Sequence, residues 1–219
     1  MNAFAFFGEL LYSVPRKSIR VVGAQGPPVI IYTDAFFRPY SEQAPPDGIR
    51  CRLGWVVFDP LLGAPYGGTM PLSEDTLCRW VVRDQQVFVA ESLAPLAVTV
   101  HHAESLRNRD VVWFVDNVGA CSVLIKGNSS QYDAGIVTAA VHLCWARLGI
   151  RSWIEWVASD DNPSDGLSRK GLKDPWTLAQ QPPWSLVELL PPPWFRLIEL
   201  PPVDVGVLLQ SCPVVNGAK

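Results

Sequence analysis

Val111-Val112-Trp113-Phe114-Val115-Asp116-Asn117 is the stretch that decides the fold. It is dense in β-branched and aromatic residues, follows the charge of Asp110 and runs into a turn-prone Asn-Val-Gly, so it reads as a strand. A run that is apolar on both faces suits the middle of a sheet with helices on each side. Asp116 then falls where an open α/β sheet places its ligands, just beyond the carboxyl edge of the strands. Taken alone, an aspartate there could equally start the turn into the next helix.

Working outward, the chain offers three more acids in comparable settings. Val29 to Phe36 is a first strand, again an apolar run meeting a carboxylate, here Asp34. Arg52 to Asp59 and Ala64 to Met70 follow as second and third strands of an antiparallel meander, after a Pro- and Gly-rich loop from Arg38 to Gly48. Val87, Glu91, Ala94 and Val98 share one face at helical spacing, within a helix placed at about Asp84 to Ser105. Glu91 is therefore a charge on a core-facing stripe, and it must be paired, protonated, metal-bound or turned out to the helix edge towards an arginine. Pro95 bends the same helix.

Beyond Asp116, Val118 to Ile125 reads as a short helix stopped by Lys126, Gly127 and Asn128. Asp133 to Leu148 is a second helix capped by Gly149, and Ile150 to Ala158 a fifth strand. Asn162 followed by Pro163 gives a helix start, with Asn as N-cap and Pro at the first helical position. Asp165 becomes the third helical residue, where an acid stabilises the helix dipole whether or not it has a function.

The chain has 219 residues, 48% of them hydrophobic and 18% charged, enough to bury a real core and to exclude disorder throughout. No segment approaches a membrane span, and Met1 to Leu11 lacks the basic start and cleavage site of a signal peptide. An intracellular protein, cytoplasmic or nuclear, with no membrane partner is expected. The five cysteines are odd in number and lack Cys-x-x-Cys spacing, so reduced core thiols are expected, not a disulfide framework or a zinc site. A net charge of −3 argues against gripping nucleic acid by bulk electrostatics. Local basic clusters at Arg16, Lys17 and Arg20, at Arg79 and Arg83, at Arg107 and Arg109, and at Arg169, Lys170 and Lys173 read as solvated faces or as phosphate contacts.

From Gly171 the composition changes, with Trp176, Trp184 and Trp194 set among proline runs. Proline density there argues against a long helix or a central strand. Three segments result: an N-terminal arm at 1–28, a domain at 29–170, and a Pro/Trp-rich tail at 171–219 that wraps the domain or docks on a partner.

Tyr32-Thr33-Asp34-Ala35, Val89-Ala90-Glu91-Ser92-Leu93, Phe114-Val115-Asp116-Asn117 and Asn162-Pro163-Ser164-Asp165-Gly166-Leu167-Ser168-Arg169, in this order and on these elements, resemble the ribonuclease H domain of retrotransposon reverse transcriptase polyproteins. The resemblance covers about Val29 to Lys170. It implies an α/β fold of the RNase H-like kind, with a five-stranded mixed sheet, three strands antiparallel and two parallel, flanked by helices. It implies hydrolysis of the RNA strand of an RNA/DNA hybrid, leaving a 3'-hydroxyl and a 5'-phosphate. It further implies two Mg²⁺ ions, replaceable by Mn²⁺, on Asp34, Glu91, Asp116 and Asp165. By the family pattern Asp34 bridges both ions, Asp165 holds the one that activates water, and Glu91 and Asp116 hold the one that stabilises the leaving oxygen. Asn117, Asn162 and Arg169 are the implied substrate contacts, and the rest of a polyprotein or other subunits the implied partners. Asp160 stands where relatives often carry a histidine, while His101, His102 and His142 read as structural. Two other readings remain open, a catalytically silent scaffold on this fold and a transposase or exonuclease that uses clustered acids in the same way.

Overall fold

Alternating apolar residues and a turn every eight to twelve residues make the first three strands a meander. They are β1 (Val29–Phe37), β2 (Cys51–Phe58) and β3 (Tyr66–Leu72), each antiparallel to the next. β4 (Asp110–Val115) pairs parallel to β1, and β5 (Arg151–Trp156) parallel to β4. This is the arrangement the resemblance implies, three antiparallel strands and two parallel ones in a mixed α/β sheet. The computed structural model describes residues 26–191 apart from 44, 82, 84 and 85, together with the backbone of residues 214–217.

The sheet is larger than expected. Its order is β5-β4-β1-β2-β3-β6-β7, with β6 (Ser185–Leu189) parallel to β3 and β7 (Val214–Gly217) antiparallel to β6. The meander leaves the outer edge of β3 with unpaired amides and carbonyls, and Ser185–Leu189 is the proline-free stretch able to pair with it. Leu186 and Leu189 are buried there. The reading of 171 onward as excluding a strand inside the sheet is corrected accordingly, while Trp194 and Cys212 lie outside the described residues, as does the helix read at Asn2 to Tyr12.

One face of the sheet carries the main core. Val111, Trp113 and Val115 of β4 point into it beside Val29 and Ile31 of β1. They meet α1 (Val87–His101) and α3 (Tyr132–Leu148), with α2 (Val118–Lys126) on the flank. Trp113 stacks on Trp145 at 5.2 Å, and the Trp145 indole N–H donates to Thr99 Oγ1 at 2.9 Å. α1 is buried from Val89 to Val100 because it is apolar nearly all round and lies between the sheet and α3. It is shorter than read from the sequence: the chain breaks at His102 before a separate turn, Ala103–Leu106. Pro95 sits inside it, and the Thr99 hydroxyl donates to the Pro95 carbonyl at 2.7 Å.

β4 was expected to be buried on both faces, yet Val112 and Phe114 are only half-buried. The short α4 (Asp165–Lys170) covers the second face over β2 and β1 but not β4. Under it Leu167 packs with Val56 and Leu186, and Phe114 stacks on Tyr32 at 4.7 Å. α4 also begins later than read. Asn162 is not its N-cap: the Asn162 Oδ1 accepts from the Ser164 N–H at 3.1 Å in a turn, and helix starts at Asp165. Cys51, Cys121 and Cys144 are buried thiols as expected, but Cys78 is exposed, in the turn after Glu74–Leu77. No helix among the described residues is long and apolar enough to cross a membrane.

Candidate metal centre

Three of the four acids converge. Asp34 lies within β1 and is 4% exposed, Glu91 projects from α1 and is 2% exposed, and half-buried Asp116 follows the last residue of β4. Each offers an oxygen within 4.8 Å of the others. Thr33 pairs with Val115 in the parallel register, so Asp34 and Asp116 are the next residues along two neighbouring strands. Parallel pairing is thus what sets these two carboxylates side by side.

Asp165 stays outside that trio. It is half-buried at the start of α4, and the Arg169 Nε–H donates to its Oδ1 at 2.7 Å. α4 still reaches the trio through Ser168, whose hydroxyl bonds Asp34 Oδ2 and lies 2.9 Å from the Asp165 carbonyl. One hydroxyl proton cannot serve both acceptors fully, and the charged carboxylate is the stronger partner.

Close approach of α4 depends on Gly54, which faces Asp34 across the β1–β2 pair. A Cβ there would sit 2.5 Å from the Ser168 nitrogen and 2.8 Å from the Ser164 carbonyl oxygen. Asn162 secures the preceding loop: its amide N–H donates to the Thr33 carbonyl at 3.0 Å, and its oxygen also accepts from the Ser164 hydroxyl at 2.6 Å. Buried and bonded at both ends, Asn162 positions the loop next to Asp34. Asn117 likewise spends its oxygen on the Ala120 N–H at 3.0 Å, capping α2.

Burial shapes the electrostatics. It raises the Asp34 carboxyl from 3.8 to about 6, helped by the negative charge of Asp116 and opposed by the Ser168 hydrogen bond. Glu91 is raised well above the ordinary carboxylate range, first by burial and then by the charges of Asp34 and Asp116. The Ala35 N–H donates to Glu91 Oε1 at 3.0 Å, whereas Glu91 Oε2 is buried with no hydrogen-bond partner. A buried orphan oxygen amid three carboxylates is an incomplete arrangement that a hard cation would complete, and the all-oxygen donor set fits a divalent ion of the magnesium kind. The cluster is compatible with divalent-metal binding.

Sequence reasoning assigned no role to Ser168, Gly54 or Trp156. The Trp156 indole N–H donates to the Asp116 carbonyl at 3.0 Å from the end of β5. Ser168 stood within the last motif, but only the β1–α4 contact reveals its target. The basic clusters are largely neutralised within the chain. Arg83 pairs with Asp133 at 2.8 Å, Arg109 with Asp59 at 2.9 Å, and Arg107 with Glu104 at 2.7 Å. Arg16, Lys17 and Arg20 lie outside the described residues. His142 Nε2 lies 2.8 Å from the Leu124 carbonyl, and half-buried His102 packs edge-on against Tyr66, so both have structural surroundings. Asp160, with Asp161, Asp165, Arg169 and Trp176, lines a cleft of about 590 Å³ around the start of α4.

No protein-family model matches the sequence, and no curated protein does. Among solved structures the chain is similar to an RNase H1 from the archaeon Halobacterium salinarum, with 19% identity and a TM-score of 0.46, over 68% of this chain and 99% of that one. It is also similar to the N-terminal RNase H domain of a Mycobacterium tuberculosis protein, with 14% identity and a TM-score of 0.46, over 65% and 91%. An RNase H1 isolated from compost by a metagenomic approach gives 15% identity and a TM-score of 0.41, over 62% and 87%. What the site can do rests on the geometry given above.

Proposed function

We propose that this chain is a divalent-metal-dependent endonuclease that hydrolyses the RNA strand of RNA/DNA hybrids, as the ribonuclease H domain of a retroelement reverse transcriptase. The observation that carries the reading is the convergence of Asp34, Glu91 and Asp116 from three separate elements around the orphan Glu91 Oε2. Nothing in the core demands those acids, and burying them together costs stability that only a ligand restores. The retroelement context rests on the resemblance carried jointly by Val115-Asp116-Asn117 and by Asn162 to Arg169.

Asp34, Glu91 and Asp116 would hold a divalent ion, with Asp165 as the fourth ligand of a loaded site. Such an ion supplies Lewis acidity, lowering the pKa of bound water and neutralising charge on a phosphoryl group. The protein's part is to fix the acceptors in advance. Ser168 commits Asp34 Oδ2, the Ala35 N–H pins Glu91 Oε1, and Trp156 holds the Asp116 main chain. The remaining oxygens are held in position before substrate arrives, so little reorganisation is needed at the moment of reaction.

The test is cleavage of a labelled RNA/DNA hybrid with Mg²⁺, looking for products with 3'-hydroxyl and 5'-phosphate ends. Asp116→Asn is expected to abolish cleavage while keeping the fold. Undiminished cleavage by that variant would overturn the reading, and no cleavage by the wild type would favour a silent scaffold.

A further inference from the structure

Of the four acids, Asp165 is the one hydrogen-bonded to a cation, Arg169, whose guanidinium also feels the charges of Asp34 and Asp116. Arg169 lies one turn after Asp165 on the same six-residue helix, and its Nε–H reaches Asp165 Oδ1 at 2.7 Å. This pair differs in kind from the other arginine pairs near the core. Asp59 and Asp133 are almost fully buried and their arginine partners 12% and 20% exposed, but the Arg169 side chain is 54% exposed and Asp165 is 32% exposed. An exposed pair at this spacing is weak and reversible. Its guanidinium also has donors to spare, since only Nε is committed and the terminal nitrogens make no hydrogen bond among the described residues. That free fork has the geometry that takes a phosphate through two parallel N–H bonds.

We propose that Arg169 is the resident counter-ion of Asp165, surrendering it to a second divalent ion when a substrate phosphodiester takes the guanidinium. This rests on the reading that the acids form a metal site. Before substrate arrives the chain holds one divalent ion, on Asp34, Glu91 and Asp116. Asp165 joins when Arg169 swings to the phosphate, so completion of the site is tied to the presence of nucleic acid. A metal-loaded but substrate-free protein is thereby kept from activating water idly.

The probe is Mn²⁺ alone, counted by titration with paramagnetic resonance of the free ion and without nucleic acid. Wild type is expected to bind one ion tightly. Arg169→Gln is expected to gain a second, or to tighten the weaker site by roughly fivefold, with Arg169→Lys between the two. The double variant Asp165→Asn, Arg169→Gln should return to one ion. Superimposable isotherms for wild type and Arg169→Gln, two equally tight ions in the wild type, or a second ion surviving in the double variant would each overturn the inference. Because ions are counted without turnover, a shifted isotherm with no hybrid cleavage would sustain this inference and remove the nuclease reading. Cleavage with unshifted isotherms would do the reverse.

Discussion

Replacing Asp34 by Asn in protein stripped of divalent ions should stabilise the fold. Asp34 is 4% exposed and its carboxyl is raised from 3.8 to about 6, chiefly by burial and the charge of Asp116. The native state therefore holds its proton up to higher pH than the unfolded chain does. Stability is fullest below the unfolded value near 4, falls as pH climbs from there to about 6, and is flat above. At about 1.4 kcal/mol per pKa unit, the ionised group costs the native state roughly 3 kcal/mol at pH 8. Asn removes that cost and keeps an oxygen for the Ser168 hydroxyl. Allowing for a poorer neutral hydrogen bond, the net gain is about 1–3 kcal/mol, a melting temperature higher by about 3–9 °C for a domain of this size. Thermal melts in chelator at pH 8 and pH 4 are the assay. The variant should melt higher at pH 8, with the difference nearly gone at pH 4, and excess Mg²⁺ should raise the wild type more than the variant. A lower melting temperature for Asp34→Asn at pH 8, or an equal gain at both pH values, would refute the electrostatic argument.

Gly54→Ala puts a methyl group 2.5 Å from the Ser168 nitrogen, so α4 must move off β2 at a cost of roughly 1–3 kcal/mol, measurable by denaturant melts, and divalent affinity should fall with it. Trp156→Phe keeps the ring but loses the N–H on the Asp116 carbonyl: stability should drop by only about 1 kcal/mol, while hybrid cleavage drops further because Asp116 is less firmly aimed. Equal, small losses in both would leave Trp156 with a packing role alone. Leu186→Ala should cost roughly 2–3 kcal/mol because Leu186 is buried against Val56 and Leu167, whereas a loose tail would tolerate it within about 0.5 kcal/mol.

The strand cores were legible because their signal is local: apolar runs that stop at Asp34 and Asp116 carry period and breaker within a few residues. So was the core-facing position of Glu91, since a charge on an apolar helical stripe is visible without knowing what lies opposite, but whether it stayed buried or turned out towards an arginine was not. What escaped depends on contacts between distant elements. β6 is a weak strand by itself and forms because β3 offers it an edge. The need for glycine at position 54 exists only once α4 lies across β2. The separation of Asp165 from the other three acids could not be read from a motif that treats them as equals. In the folded chain Asp165 pairs instead with an i,i+4 arginine, whose choice of partner is a matter of geometry.

α4 is where these contacts meet, and its size has a consequence for how the site could fail. A six-residue helix has too few internal hydrogen bonds to persist alone, so it is held by what it touches. Those tethers include Leu167 in its apolar cluster, the Thr69 hydroxyl and the Arg52 guanidinium on the Leu167 and Arg169 carbonyls, the Asn162 bridge to Thr33, and the Ser168 hydroxyl on Asp34. The last is charge-assisted and weakens when Asp34 takes up a proton. Helix docking and the ionisation of Asp34 are therefore linked: an ionised Asp34 holds α4 and a divalent ion alike, and the protonated carboxyl holds both less well. Acidification towards pH 6 should loosen α4 before the sheet, since β1 and β4 carry residues of the main core while α4 carries none of it. Protection relative to the intrinsic exchange rate at each pH would then fall first at Leu167 and Ser168 while Ile31 and Trp113 stay protected. An equal change in protection at all four positions would mean that α4 is held by its other contacts and that its tie to Asp34 contributes nothing measurable.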